Sequence, residues 1–252
     1  MRLSLIIFLF LISSQLVSCI TGANQNKQRA SLYLQMGVGH LSNGNTPAAF
    51  RELLKAEELD NENPIVKNNL GMAYFLKGKL DTSEKKFREA IRLQKKYSDA
   101  RNNLGRVLIE RGKYNEAIKE LQIVEDDLTY EAPEKVFSNM GMAYFHLGNF
   151  NRAETYLVKS LDLRRDSCVT ANLYGRTLLE QKKYSQSAEI LDKAIEYCRE
   201  AQFEEPIFYS AMSYYSLGET EKSRARIDEL LKDYPKSKYF AKAKGMLELL
   251  QP

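Results

Sequence analysis

The sequence has little histidine and none of the short motifs that mark most catalytic sites. Only two histidines occur in 252 residues, His40 and His146. Neither has a nucleophile or a paired carboxylate at a spacing that would support acid–base or nucleophilic catalysis. A glycine-rich phosphate loop and the metal-binding His-Glu-x-x-His pattern are both absent. We therefore predict a protein that is not an enzyme, with no catalytic residue, no cofactor and no metal site.

The sequence also lacks a strong excess of one charge. Lysine and arginine together number 37, aspartate and glutamate 33, and the formal net charge is +4. Residues of the two signs alternate along the chain, which is typical of a solvated surface and argues against a nucleic-acid-binding patch. With 44% hydrophobic and 28% charged residues, the chain can bury a sizeable core. We expect neither nucleic acid nor a small-molecule substrate as a ligand.

The apolar run near the N-terminus is too short to span a bilayer, which takes about 20 residues. The run Leu3–Ile12 follows the positive charge of Arg2 and precedes small polar residues, an arrangement typical of a secretory signal. The signal ends in Leu16-Val17-Ser18-Cys19, which resembles the bacterial lipobox. The resemblance implies a signal peptide over residues 1–18 and lipid attachment at Cys19. The alternative is an ordinary signal peptide with an incidental cysteine.

Lipidation of Cys19 would fix the protein's location. Its acyl chains would provide more than the two signals that a stable membrane anchor requires. Ile20, rather than aspartate, follows the cysteine, which by analogy with the enterobacterial sorting rule implies the outer membrane. We therefore expect a protein anchored in the periplasmic leaflet of the outer membrane. The polar, aperiodic stretch Ile20–Arg29 predicts that residues 19–29 form the lipidated cysteine and a flexible tether.

An internal repeat organises the rest of the chain. Gly37, Gly71 and Gly105 are 34 residues apart, as are Gly141 and Gly175. This period resembles the tetratricopeptide repeat, a helix–turn–helix unit that stacks into a superhelix. We predict an all-α fold with six repeats over residues 30–237, at about 30–63, 64–97, 98–131, 134–167, 168–201 and 204–237. Two linkers, Asp126–Pro133 and Ala201–Glu205, are each lengthened by two residues, and both are compatible with simple loop insertion.

The repeat pattern predicts how the two helices of each unit pack. The glycines allow a close approach of the second helix, on which small residues are expected at Ala49, Ser83, Ala117, Ala153, Ala188 and Ser223. Large residues fill the remaining space, and the turns fall at Gly44, Gly78, Gly112, Gly148, Lys182 and Gly218. Residues Lys236–Leu250 have an apolar face typical of a further amphipathic helix. We expect residues 238–252 to form a C-terminal capping helix.

Two cysteines remain besides Cys19. Cys168 opens the first helix of the fifth repeat and Cys198 closes the second, so antiparallel helices would place them at the same end of the hairpin. A disulfide is therefore possible if the Cα atoms come within about 7 Å. The alternative is a pair of buried thiols. Two cysteines with no nearby histidine do not make a zinc site.

The first helices of a repeat superhelix form a concave groove that commonly receives a partner. Asparagine can hydrogen-bond a peptide backbone, and methionine and aromatic residues suit apolar side chains. The residues predicted to line the groove are Leu34, Val38, Leu41, Asn68, Met72, Phe75, Asn102, Arg106, Ile109, Met142 and Phe145, and the same register adds Ser138, Asn172, Arg176, Phe208, Met212 and Tyr215. Any one of them could instead pack against the next repeat.

The combination of a lipobox, a short tether, six repeats and a closing helix resembles the pilotin lipoproteins of type IV pilus systems. The resemblance runs from about Tyr33 to Tyr239 and is most specific over Leu34–Asp60 and Leu128–Asp166. It includes the lengthened linker that begins at Asp126, whereas the fifth and sixth repeats diverge. The resemblance implies the secretin subunit of the pilus as partner, and a role in secretin assembly, pilus biogenesis and twitching motility.

The competing interpretation is a general periplasmic tetratricopeptide-repeat scaffold for cell-envelope enzymes or assembly complexes. A third possibility, an enzyme with an added repeat domain, is disfavoured because the repeats leave no room for another domain. Neighbouring pilus genes would separate the first two interpretations.

Overall fold

The structure, a computed structural model, describes residues 24–250, and all its regular elements are helices. They are α1 (residues 24–42), α2 (Thr46–Leu59), α3 (Pro64–Leu76), α4 (Leu80–Leu93), α5 (Ser98–Glu110), α6 (Tyr114–Glu125), α7 (Pro133–His146), α8 (Phe150–Leu163), α9 (Cys168–Glu180), α10 (Tyr184–Cys198), α11 (Glu205–Ser216), α12 (Thr220–Asp233) and α13 (Phe240–Leu249). The predicted all-α fold of six helix–turn–helix repeats and a closing helix is confirmed.

The chain forms two compact units. Unit 1 ends at Arg111 and unit 2 begins at Gly112, so the boundary falls in the turn of the third repeat. Unit 1 contains the first two repeats and α5, and unit 2 contains α6, the last three repeats and α13. No helix in the described range 24–250 is long and apolar enough to cross a membrane. The predicted signal peptide and Cys19 lie outside the described residues.

Helix α1 begins inside the segment for which the sequence predicts a tether. Residues 24–29 are helical and exposed, and they continue without a break into the first repeat. Four of these six residues are Gln25, Lys27, Gln28 and Arg29, whose unbranched side chains lose little freedom in a helix. Residues 20–23 are not among those described.

Close approach of the two helices explains the repeated glycines. A Cβ atom added at Gly71 would lie 2.7 Å from the Phe87 ring, and one at Gly141 would lie 2.6 Å from the Leu157 Cγ. Gly37 meets Leu53 in the same way. Because real Cβ atoms do not approach so closely, these positions need glycine, as the sequence predicted.

A serine hydroxyl ties the second helix to the first in three repeats. Ser83 donates to the Gly71 carbonyl oxygen at 2.7 Å, and Ser223 donates to that of Ala211 at 2.9 Å. In the fifth repeat the donor is Ser187, 2.8 Å from the Gly175 oxygen. The sequence analysis placed Ala188 at this position. That prediction is wrong by one residue, because the side chain that bonds to the first helix is that of Ser187.

The turn of every repeat contains a residue in the left-handed conformation, as at Gly148 with a φ of 72°. In the fifth repeat that residue is Lys182, with a φ of 61°. A side chain is uncommon in this region, but Lys182 is exposed, so the turn remains in register with the glycine-containing turns of the other repeats.

A nearly buried ion cluster links the first two repeats of unit 1. The Lys67 Nζ lies 2.6 Å from a Glu57 oxygen, and the Lys86 Nζ contacts the same oxygen at 2.6 Å. Glu89 completes the cluster, 3.3 Å from Lys86. Burial alone would raise the pKa of Glu57, but the hydrogen bonds and charges of the two lysines outweigh it and hold this pKa below its usual value. The cluster is therefore paired and structural.

The C-terminal helix covers the apolar side of the last repeat. Tyr239, Ala243 and Leu250 are buried in one core with Ile227 and Leu230 of α12. Met246 and Leu247 pack against the same core. Helix α13 starts at Phe240, after a turn in which Ser237 donates to Glu204 at 3.0 Å. This packing is what a capping helix requires.

Candidate protein-binding surface

The first helices of the second and third repeats, α3 and α5, place Met72, Phe75 and Arg106 on one surface. We call these three residues the first-helix face of unit 1. Met72 and Phe75 of α3 are half-buried, and Arg106 of α5 is exposed. The Arg106 guanidinium carbon lies 4.8 Å from the centroid of the Phe75 ring, which is within range of a cation–π interaction. The face therefore combines a positive charge, an aromatic ring and a thioether.

Several predicted groove residues of unit 1 serve the packing instead. Ile109, at the position of α5 equivalent to Phe75, is only 4% exposed and lies in the core. Leu34 and Leu41 are partly buried against the core of the first two repeats. Val38 is 38% exposed and is available at the surface.

The asparagines in the predicted groove are largely buried between repeats. Asn68 is 9% exposed, and its Oδ1 accepts a hydrogen bond from the Asn103 Nδ2 at 3.0 Å. Asn102 is also buried. Asn68 therefore joins the second and third repeats of unit 1, and the burial of both asparagines does not support the prediction that they contact a partner's backbone.

The first-helix face of unit 2 is built around Arg176. Its guanidinium carbon lies 4.9 Å from the Phe145 ring centroid and 4.6 Å from that of Tyr209, so the cation lies against two aromatic rings. Met142 and Met212 are half-buried on the same helices, and Tyr215 is exposed. Arg176 follows Phe145 by 31 residues, the same separation as between Phe75 and Arg106. In each unit, therefore, the guanidinium group of an arginine lies over the ring of a phenylalanine.

A buried carboxylate fixes the position of Arg176. Glu205, at the start of α11, is 6% exposed and lies 2.5 Å from the Arg176 Nη1. It also accepts hydrogen bonds from Asn172 at 3.3 Å and from Lys238 at 3.1 Å. Burial alone would raise the pKa of Glu205, but the Arg176 charge and the hydrogen bonds outweigh it and hold this pKa below its usual value.

Sequence reasoning did not identify Tyr209 and Glu205 as parts of this surface. Glu205 ends the lengthened linker Ala201–Glu205 and lies outside the positions for which the register predicts groove residues. The acidic residue directly before Pro206 at a helix start is the one signal in the sequence that points to it.

Both histidines and the two cysteines of the fifth repeat lie outside this surface. His146 stacks on Tyr114 with ring centroids 5.1 Å apart, and His40 is half-buried. Cys168 and Cys198 are joined in a disulfide, with Cα atoms 4.9 Å apart. Within residues 24–250, no group of three or more histidine, cysteine, aspartate or glutamate side chains is placed to hold a metal ion.

Comparison with known proteins identifies the repeat. Family models described as tetratricopeptide repeat match residues 34–97, 86–119, 136–172 and 207–237. The chain therefore has the tetratricopeptide-repeat fold.

Type IV pilus proteins are among the similar chains. The type IV pilus assembly protein PilF of Pseudomonas aeruginosa is 26% identical over 191 residues, 73% of this chain and 76% of that protein. The solved structure of P. aeruginosa pilF matches with a TM-score of 0.75 at 22% identity, covering 88% of this chain and 99% of that one. PilW, described as a widely conserved type IV pilus biogenesis factor, matches with a TM-score of 0.76 at 18% identity, covering 83% and 95%.

Proposed function

We propose that this chain is an outer-membrane lipoprotein that binds the secretin of a type IV pilus and promotes its outer-membrane localisation or multimer assembly. The observation that carries the proposal is the similarity to the pilus assembly protein PilF over 73% of this chain. The protein acts by binding and not by catalysis. Pilus biogenesis and twitching motility depend on it through the secretin.

The first-helix faces supply the binding chemistry. Met72 and Phe75 in unit 1, and Met142 and Phe145 in unit 2, present thioethers and aromatic rings that suit apolar side chains of a protein segment. Arg106 is exposed and adds a planar cation that can pair with a carboxylate or a main-chain carbonyl of the partner. Aromatic residues, methionine and arginine are the side chains enriched in protein interfaces.

The lipid anchor would keep this surface at the site of secretin assembly. Acylated Cys19 lies only five residues before the first described helical residue, Asn24. The repeats would then be held close to the inner surface of the outer membrane. A soluble repeat protein would have to find each secretin subunit by diffusion.

Deletion of the gene tests the role. We expect loss of heat-resistant secretin multimers in the outer membrane and loss of surface pili, both restored by the full-length gene. Normal amounts of multimers and pili in the deletion strain would refute the proposal and would favour a general envelope scaffold.

Charge reversal tests the surface. Arg106→Glu should restore multimers poorly, whereas Arg51→Glu, on an exposed position of the second helix α2, should restore them fully. Both variants should be present in the membrane fraction in normal amounts, because both side chains are exposed. Full restoration by Arg106→Glu would remove the unit 1 face from the binding site without refuting the role itself.

A further inference from the structure

One face of α1 exposes large apolar side chains at the N-terminal edge of unit 1. Leu32 is 61% exposed and Met36, one turn later, is 52% exposed. Gly39 follows on the same face and has no neighbouring atom within 4 Å of the position of an added Cβ. We call Leu32, Met36 and Gly39 the α1 face.

The second repeat shows what normally covers this face. The equivalent residues, 34 positions later, are Val66, Leu70 and Ala73 of α3, and none of them has any exposed surface. They share one core with three residues of the preceding second helix α2, namely Ala49, Leu53 and Ala56. In the second repeat, therefore, the equivalent face packs on an amphipathic helix that has alanine at position i, leucine at i+4 and alanine at i+7.

Unit 2 repeats the same arrangement. The equivalent residues on α7 are Val136, Met140 and Ala143, all buried, and α7 packs against the preceding helix α6. The buried residues of α6 are Ala117, Leu121 and Val124, with the same i, i+4, i+7 spacing. Met140 is also the same residue type as Met36. The α1 face therefore has the composition of an interior repeat interface.

The last second helix of unit 2 is already covered. The buried side of α12, which would offer the matching second helix to another copy of the chain, already packs against α13. The outward residues of α13 include Lys242, Lys244 and Glu248, all exposed. A second copy therefore has no free second helix to place on the α1 face in the register of the repeats.

Charge and shape indicate the kind of occupant. Residues 24–42 contain Lys27 and Arg29 and no acidic residue, which favours a partner with acidic flanks. Gly39 leaves a notch that allows close approach of another backbone, whereas a lipid surface gains nothing from a notch. The first turns of α1, from Asn24 to Arg29, are polar on all sides, unlike a helix that lies in a membrane interface.

We propose that the α1 face binds an amphipathic, acidic-flanked helix of another protein, which takes the place that α2 and α6 occupy in the interior repeats. This interaction is separate from the first-helix faces and does not rest on the secretin role.

A peptide copied from this chain tests the face. The probe is a side-chain-stapled, fluorescein-labelled helix with the sequence of Tyr114–Glu125, added to the full chain as purified from cells and followed by fluorescence anisotropy. We expect saturable binding that Met36→Glu weakens by about 10-fold or more, as expected for loss of a central anchor. Gly39→Leu should weaken it similarly by filling the notch. The matched control Leu249→Glu, at another exposed apolar residue, should bind as the unchanged protein does.

Photo-crosslinking in cells identifies the natural occupant. A photoreactive amino acid at position 36 of the full chain should give an adduct whose crosslinked segment, located by mass spectrometry, is an amphipathic helix of another protein. An adduct with a second copy of the chain, an adduct with lipid alone, or no protein adduct would overturn the proposal. So would peptide binding that is absent or is unchanged by Met36→Glu. Circular dichroism spectra and melting temperatures should be unchanged in the variants, because the substituted positions are exposed.

Discussion

Replacement of Gly141 by alanine would test whether close helix approach is what requires glycine in these repeats. Gly141 lies in α7, where an added Cβ would be 2.6 Å from the Leu157 Cγ and 2.7 Å from its Cδ2. Leu157 has no exposed surface, and the Ala153 carbonyl oxygen lies 3.4 Å from the new atom on another side. The Cγ is a branch point and not the end of a flexible chain. The methyl group therefore cannot be accommodated by a small rotation.

Two opposing effects set the size of the change. Alanine is favoured over glycine in a helix by about 1 kcal/mol, whereas overpacking a well-filled core costs about 1–3 kcal/mol. We expect the overpacking cost of Gly141→Ala to lie at or slightly beyond the upper end of that range, because both close contacts are with the fully buried side chain of Leu157. The expected net loss is about 2 kcal/mol, or about 4–8 °C in melting temperature for a chain of this size.

A control at an open glycine isolates the steric effect. Gly245 is also helical, and an added Cβ there would meet no atom within 4 Å. Gly245→Ala should therefore stabilise the protein by up to about 1 kcal/mol. Urea unfolding followed by circular dichroism compares the two variants.

A double variant tests the contact itself. Leu157→Ala alone should cost about 2–5 kcal/mol by opening a cavity, and Gly141→Ala added to it should be neutral or stabilising, because the new methyl enters the vacated space. Such non-additivity is expected only for residues in contact. If Gly141→Ala were as stable as Gly245→Ala, or if the two losses simply added, the packing explanation would be wrong.

Three further changes have outcomes that the structure or the sequence predicts. Replacing Cys168 and Cys198 together by serine should lower the free energy of unfolding by about 3–4 kcal/mol, since the bridge joins residues separated by 30 positions and restricts the unfolded chain; reductant should then no longer affect the melting temperature. Cys19→Ala should move the protein out of the membrane fraction, and unchanged fractionation would contradict the anchor. Glu205→Gln should destabilise the protein at pH 7, and the destabilisation should be smaller at pH 3. The lowered pKa of Glu205 means that its contribution is present above its ordinary value of 4.5 and is lost as the pH falls through the folded-state value; an equal loss at both pH values would contradict this.

The repeat architecture was predictable because its signals are local and recur. A glycine on the first helix and a small residue on the second recur at nearly fixed spacing, and each pair meets within one hairpin. Each further copy therefore tests the same register. The error at Ala188 is one of register: the small residue follows the first-helix position by 12 residues in the other repeats, and 12 residues after Gly175 is Ser187, which donates the hydroxyl bond to Gly175.

The binding surface was less predictable because its residues have two possible uses. An asparagine at the fifth position of a repeat can bind a partner or a neighbouring repeat, and the choice at Asn68 depends on Asn103 in the next repeat. Tyr209 and Glu205 lie outside the predicted groove positions, and they contact Arg176 of the preceding repeat, a contact that the repeat period does not reveal. The sequence alone contains the residues but not the contacts that decide between these uses.

The sixth repeat shows that a stacking position need not be apolar. Ser210 and Ser213 of α11 stand where α3 has Leu70 and Ala73, yet both are fully buried. Ser210 donates to Asp192 at 2.6 Å, and Ser213 is 2.7 Å from the Ser187 hydroxyl oxygen, so a partner satisfies each hydroxyl. The fold therefore accepts either an apolar pair or a satisfied polar pair at this interface. Met36 has the apolar chemistry of the interior positions, yet it is 52% exposed among the described residues of unit 1, and the proposed partner helix would cover it.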